Sequence, residues 1–249
     1  MTDLPMLLLL AVTLTFLAAG FVKGAIGMGL PTVAMGLLSA VMPPVAAAAL
    51  LVVPSFVTNV WQLAAGPSFA ALARRLWPML LGIVIGTVAG AGLLTGASAG
   101  RATVALGVTL ALYALVGLTP LRLAVRRSAE PWLSPLIGLA TGLVTGATGV
   151  FVLPAVPYLQ ALDLEKDDLV QALGLSFTVS TVALALGLAR GGAFEPTVAW
   201  GSLLALAPAL AGMAAGQWLR RRIPPAAFRL CFFIGLLGLG LHLALRPLI

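Results

Sequence analysis

The sequence predicts an all-α polytopic membrane protein with about ten transmembrane segments, arranged as two inverted repeats of five. Three observations predict this: an apolar composition, the spacing of the apolar runs, and a similarity between the two halves of the chain. Of the 249 residues, 61% are hydrophobic and 8% are charged, and the mean hydropathy is +1.13. A soluble domain carries roughly 25% charged residues. The composition therefore excludes a water-soluble globule, a disordered chain and a nucleic-acid-binding protein.

Eight long apolar runs follow one another along the chain, each close to the length of about 20 residues that a transmembrane helix needs. Two shorter runs, at 27–42 and 149–162, contain both glycine and proline. The breaks between runs hold Gly, Pro or charged residues, which are turn sequences. The long runs are 4–24, 45–65, 73–95, 101–119, 132–148, 168–189, 196–219 and 226–247.

The positions of Lys and Arg indicate whether the two short runs also cross the membrane. Cytoplasmic loops carry an excess of these residues. If only the long runs cross, the 14 basic residues divide seven to seven between the two faces. If all ten runs cross, eleven lie on one face and only Arg101, Arg190 and Arg246 on the other. The sequence therefore predicts ten segments with both termini on the periplasmic side.

The two halves of the chain resemble each other at a shift of 122 residues. The shift places Lys23 on Thr145 and Pro54 on Ser176. It also superposes the glycines Gly20, Gly24 and Gly27 on Gly142, Gly146 and Gly149. Five segments per half is an odd number, so the second half would enter the membrane inverted, as in many transporters. The predicted domains are a first repeat at 1–121, a basic cytoplasmic linker at 122–131 and a second repeat at 132–249.

Glycines occur in two different settings. Gly82, Gly86 and Gly90 recur every fourth residue, as do Gly212 and Gly216, and such ridges let helices approach closely in lipid. The glycines at the ends of the first and sixth segments instead adjoin the short, broken runs. Broken segments at corresponding positions of two repeats indicate a binding site at the membrane midplane. The alternative is two tight hairpins that serve only packing.

Lys23 is the one cation beside such a break. It would either attract an anionic ligand or extend its ammonium to the cytoplasmic headgroups. Asn59 and Gln62 share one face of the third segment and are candidates to line a cavity. The predicted ligand-binding residues are Lys23, Gly24, Gly27, Gly29, Asn59, Gln62, Thr145, Gly146, Thr148, Gly149 and Ser176.

Acidic residues and histidine are scarce. All seven acids fall in predicted loops or at a terminus, which argues against a cation pump with a carboxylate in its core. The single histidine, His242, and the single cysteine cannot form a metal cluster or a catalytic triad. We therefore expect neither an enzyme nor a cofactor.

The stretch from Gly20 to Gly29 resembles the first-repeat motif of the TauE/SafE sulfite exporter family, also called the toluene-sulfonate uptake permease family. The run through Pro54 and Asn59, and the second copy from Gly138 to Gly149, are similar to that family as well. The resemblance covers essentially the whole chain. It implies a transporter of small anions, such as sulfite, sulfonates or other organosulfur compounds, in the bacterial inner membrane. It also implies anion contacts from Lys23, from backbone near Gly24 and Gly27, and from their repeat mates Thr145, Gly146 and Gly149.

We accordingly expect a permease or exporter of a small organic or sulfur-containing anion that works by alternating access. One alternative is an inverted-repeat carrier of a neutral solute, and another is a membrane scaffold that transports nothing. The expected partners are the anionic substrate and membrane lipid, without nucleic acid. Either a monomer or a homodimer fits the sequence.

Overall fold

The structure is a computed structural model that describes residues 3–96, 99–119, 123–193, 196–220, 222 and 225–246. Within these residues the chain forms eleven α-helices and no strand. The helices are α1 (Asp3–Ile26), α2 (Leu30–Ser39), α3 (Pro44–Ala64), α4 (Phe69–Thr95), α5 (Ala99–Leu118), α6 (Glu130–Thr148), α7 (Ala155–Gln160), α8 (Lys166–Arg190), α9 (Pro196–Leu204), α10 (Leu206–Arg220) and α11 (Pro225–Leu245). Some residues used in the predictions lie outside the described ranges: Arg122 at the start of the linker, Glu195, Arg221, and the chain ends at 1–2 and 247–249.

Seven helical stretches among the described residues are long and apolar enough to cross a membrane: α1, α3, α4, α5, α8, the pair α9 and α10, and α11. This confirms a multi-pass, all-helical membrane protein. Helix α6 has 19 residues, α2 has 10 and α7 has 6. At 1.5 Å per residue, α2 reaches only about 15 Å, half of a hydrocarbon core of ~30 Å.

Both short helices follow a glycine with left-handed backbone. Gly27 and Gly29, between α1 and α2, have φ of 80° and 100°. Gly149, at the end of α6, has φ of 72°. Glycine suits these positions because it lacks the Cβ that makes a positive φ costly. The chain then differs between the two places, since α2 begins at once whereas residues 150–154 form no helix before α7.

Several segment boundaries differ from the sequence prediction, and three of the differences have an evident physical reason. The run at 196–219 is two helices, because the chain turns at Ala205 and Pro208 has no N–H to continue the hydrogen bonding of α9. Helix α4 begins at Phe69 rather than at 73, because Ala70, Ala71 and Leu72 are good helix formers. Helix α8 begins at Lys166 rather than at 168. The carboxylate of Asp167 in its first turn stabilises the helix by its attraction to the positive end of the helix dipole.

Two pairs of helices pack in parallel through glycines. On α4, a Cβ at Gly82 would lie 2.6 Å from the carbonyl oxygen of Pro135 in α6, and one at Gly90 would lie 2.7 Å from that of Leu143. A side chain at either place would collide with backbone, so the predicted packing role of this ridge is confirmed. Helices α1 and α10 pack in the same way, with Gly20 against Ala209, Gly24 against Met213 and Gly216 against Phe21. In both pairs the residue numbers rise in the same direction.

Two other pairs are antiparallel. In α3 and α8, Ser55 lies beside Thr181 and Leu63 beside Gly174, so the numbers rise in opposite directions. In α5 and α11, Gly107 lies against Ala244 and Gly117 lies against Phe233. Helix α8 is the most buried of the seven candidate spans and α3 the next. The pair α3 and α8 therefore forms the centre of the molecule.

Candidate functional site

A cluster of polar side chains lies inside the apolar interior, where α1 meets α3 and α8. Lys23 of α1 donates a hydrogen bond from Nζ to Oδ1 of Asn59 in α3. Nδ2 of Asn59 donates to Oγ of Ser55 at 3.1 Å and to Oγ1 of Thr181 at 3.4 Å. Ser55 and Thr181 are themselves 3.2 Å apart. We call Lys23, Ser55, Asn59 and Thr181 the Lys23 cluster.

The direction of these hydrogen bonds fixes the amide of Asn59. Thr181 donates its hydroxyl proton to the carbonyl of Phe177 at 2.7 Å, so its oxygen accepts from Ser55 and Asn59. Both neighbours of the Asn59 NH₂ group are thus acceptors, and the amide oxygen is left to face Lys23. Ser55 and Asn59 lie four residues apart and so share one face of α3. The sequence argument identified Asn59 but missed Ser55, which that spacing would have identified.

Lys23 is buried. Its exposed fraction is 4%, and that of Ser55 and of Asn59 is 0%. The ammonium therefore lies inside the protein and does not extend to the headgroups, which was the alternative for this residue. A lysine ammonium has three N–H donors, and in the described chain only one of them has a partner, Asn59.

No carboxylate lies against Lys23 among the described residues. The acids there are at helix ends or between helices: Asp3, Glu130, Asp163, Glu165, Asp167 and Asp168. The one ion pair in the described ranges joins Arg75 and Glu130. A buried charge without an opposite charge is costly. An anion beside Lys23 would offset this cost.

A proline shapes α3 next to this cluster. Pro54 has no N–H, so the carbonyl of Leu50, four residues earlier, loses its helical partner. Ser202 of α9 replaces that partner, since its Oγ donates to the Leu50 carbonyl at 2.8 Å and accepts from Val53 N at 3.1 Å. Thr58 donates to the Pro54 carbonyl at 2.7 Å. Ser202 of α9 thus supplies the hydrogen bond that α3 lacks at Pro54, in the turn that leads into Ser55.

Gln62 lies outside the Lys23 cluster. It donates to the carbonyl of Val170 in α8 at 3.0 Å. Gln171 of α8 donates to the carbonyls of Leu63 and Gly66 and accepts from Ser68 N at 2.8 Å. These two glutamines join the end of α3 to the start of α8.

The predicted glycines divide into two groups. Gly24 packs against the Met213 carbonyl of α10, and Gly146 packs against the Thr87 carbonyl of α4. Their backbones are therefore enclosed by neighbouring helices. Gly27 has open space around its Cα, Gly29 lies near Val22 and Phe232, and Gly149 lies against Met35 of α2.

The predicted hydroxyl residues of the second half are buried. Thr145 donates to Thr141 O and Thr148 to Val144 O, both at 2.7 Å and both within α6. Ser176 and Ser180, four residues apart on α8, have buried hydroxyl oxygens without a hydrogen-bond partner in the described chain. Such oxygens are available to a ligand or to water.

The helices and the Lys23 cluster define a multi-pass membrane protein with a buried polar site that contains a lysine, as expected for a transporter. Residues 12–243 match the family model described as "Sulfite exporter TauE/SafE". The chain therefore belongs to the TauE/SafE sulfite exporter family, a family of membrane transporters. Searches among curated proteins and solved structures returned no match.

Proposed function

We propose that the protein carries a small anion, such as sulfite or a sulfonate, across the bacterial inner membrane by alternating access. The observation that carries this proposal is the burial of Lys23, which has one neutral partner and no carboxylate among the described residues. An anion would supply the missing charge and accept from the remaining N–H donors. A small oxyanion suits this role because several oxygens can accept at once.

The two alternatives account less well for Lys23. A neutral solute would give Lys23 no opposite charge in either the empty or the loaded state, so it does not explain why a lysine is buried here. A scaffold needs only the glycine ridges, which pack α1 on α10 and α4 on α6 without any polar cluster.

The helix registers support ten segments, although α2 and α7 are short. In a chain whose consecutive helices alternate in direction, α3 and α8 are antiparallel only if α7 reverses the chain. Given that reversal, α1 and α10 are parallel only if α2 also reverses it. Exchanging the first half for the second then maps the pair α1 and α10 onto α6 and α4, as in an inverted repeat.

Transport of labelled sulfite into proteoliposomes tests this function. We expect uptake by the wild-type protein and its loss in Lys23→Ala. Lys166→Ala is the matched control, because Lys166 is the only other lysine and is exposed at the start of α8. A scaffold would move neither sulfite nor sulfoacetate. In a carrier of a neutral solute, transport of that solute would not depend on Lys23.

Orientation is tested separately by cysteine labelling in a Cys231→Ala background. We propose that both termini face the periplasm and that the linker faces the cytoplasm, as the eleven-to-three charge distribution favours. Ser128→Cys should then be protected from an impermeant reagent applied from outside. Rapid labelling of that position would overturn the orientation.

A further inference from the structure

A groove of about 990 Å³ lies between the parallel helices α4 and α6. Its lining residues come from α4, from α6 and from the segment just before α6. None of them belongs to α1, α3 or α8, so the groove is distinct from the Lys23 cluster. Its volume is at the upper end of the range of roughly 300–1,000 Å³ that is typical of ligand sites.

One end of the groove is polar and carries net positive charge. Arg75 donates from Nε and Nη2 to the two carboxylate oxygens of Glu130, at 2.9 and 2.6 Å. Ser134 lies one turn further along α6, and Arg127 completes this end. Arg127 is exposed and has no partner in the described chain. Because the carboxylate of Glu130 neutralises Arg75, the guanidinium of Arg127 supplies the net charge.

The remainder of the groove is apolar and open to the outside. Leu81 and Ile85 of α4 are 51% and 54% exposed, and Leu139 of α6 faces them. Trp77, 58% exposed, lies between this part and the polar end. Tryptophan is enriched at the level where headgroups meet hydrocarbon.

The length of the groove matches one leaflet of a bilayer. Arg75 and Ile85 are ten residues apart on α4, which is about 15 Å along the helix. Half of a hydrocarbon core of ~30 Å is the same distance. With the arginines at headgroup level, the apolar end therefore reaches the bilayer midplane.

We propose that this groove binds one anionic phospholipid, with the phosphate at Arg127 and an acyl chain along Leu81, Ile85 and Leu139. Basic pockets between transmembrane helices hold anionic headgroups in this way. A small water-soluble solute does not fit, because the long wall is apolar and faces outward. A second copy of this chain would cover Arg127 without offering it a free carboxylate from this groove, because Glu130 is already paired with Arg75, which opposes that alternative.

Native mass spectrometry of the delipidated full-length protein tests the proposal. The probes are phosphatidylglycerol and phosphatidylcholine with identical acyl chains. We expect the wild-type protein to bind phosphatidylglycerol more tightly. Arg127→Gln should weaken that binding by at least about fivefold, the equivalent of about 1 kcal/mol per basic residue. Binding of phosphatidylcholine should weaken less, because its choline ammonium offsets the charge of the phosphate.

Two further variants separate the groove from general surface charge. Ile85→Trp fills the apolar part and should weaken both lipids, and its exposed position makes the substitution compatible with folding. Arg74→Gln removes an exposed arginine at the same end of α4 that does not line the groove, and it should bind like the wild type. Equal affinity for the two lipids, or equal losses in Arg74→Gln and Arg127→Gln, would overturn the proposal. So would a dimer that dissociates on Ile85→Trp, because a second copy would then cover the groove.

Discussion

Lys23 and Thr145 lie 122 residues apart, at matching places near the ends of α1 and α6, and their side chains behave differently. Lys23 reaches across to Asn59 of α3, whereas Thr145 bonds back to Thr141 of its own helix. A long side chain can bridge two helices, while a short hydroxyl is satisfied within one. We call the place where α1 leads into α2 the first junction, and the place where α6 leads toward α7 the second junction. Only the first junction therefore has a basic side chain with N–H donors left for a ligand.

The two junctions also differ in the backbone that follows them. After Gly29 the chain enters α2 directly, but after Gly149 it runs through a non-helical stretch packed into the core. There the ring centroids of Phe151 and Phe177 are 5.2 Å apart, and Thr148 Oγ1 accepts a hydrogen bond from Val150 N at 3.2 Å. At the second junction, Thr145 and Thr148 thus form hydrogen bonds within their own segment, and the following backbone packs into the core. The predictions below test this division between a binding junction and a packing junction.

The largest effect is expected from placing a lysine at the second junction. Thr145 is 0% exposed and has no long-range polar partner in the described chain. Thr145→Lys would bury an uncompensated cation and should lower the free energy of unfolding by about 3 kcal/mol or more. Unfolding in detergent micelles measures this change. Ser128→Lys adds the same charge at an exposed position and should be neutral; an equal loss there would contradict the burial argument.

Helix packing should be equally sensitive at the two junctions. Gly24→Ala and Gly146→Ala would each push a methyl group into backbone of a neighbouring helix. We expect each to cost about 1–3 kcal/mol of unfolding free energy, typical of overpacking. Gly235→Ala in α11 is the control, since its Cβ would meet open space. If Gly24→Ala is as stable as that control, α1 and α10 do not pack as described.

Anion binding should depend on the first junction alone. Lys23→Met keeps an unbranched apolar side chain but removes the ammonium, and should weaken sulfite binding by at least about 1.5 kcal/mol, roughly tenfold. Lys23→Arg should retain part of the affinity. Isothermal titration of the purified variants measures both, and wild-type affinity in Lys23→Met would remove Lys23 from the site.

The smallest effect is expected from removing the hydroxyl at the second junction. Thr145→Val keeps the shape of the side chain and loses only a hydrogen bond within α6, so its stability should change by less than about 1.5 kcal/mol. Sulfite affinity should stay at the wild-type value in the same titration. A clear loss of affinity would show that Thr145 contacts the anion and that the two junctions share the site.

The sequence by itself determined the membrane class, the helical fold and the approximate positions of the long helices. These follow from local properties, because a span is set by the length of an apolar run and a helix end by Gly, Pro or charge. It also identified Lys23 and Asn59 as candidates, since polar groups in apolar runs are few enough to stand out. The break at Ala205 was missed because Pro208 does not interrupt the apolar run.

Only the tertiary structure decided which of these residues meet. Lys23 and Asn59 are 36 residues apart, and Ser55 and Thr181 are 126 apart, so no local pattern relates them. The structure also separated glycines that look alike in sequence, since Gly24 is enclosed by α10 while Gly27 has open space. What a glycine or a lysine does depends on what the neighbouring helix presents to it, and that is a property of how the helices pack.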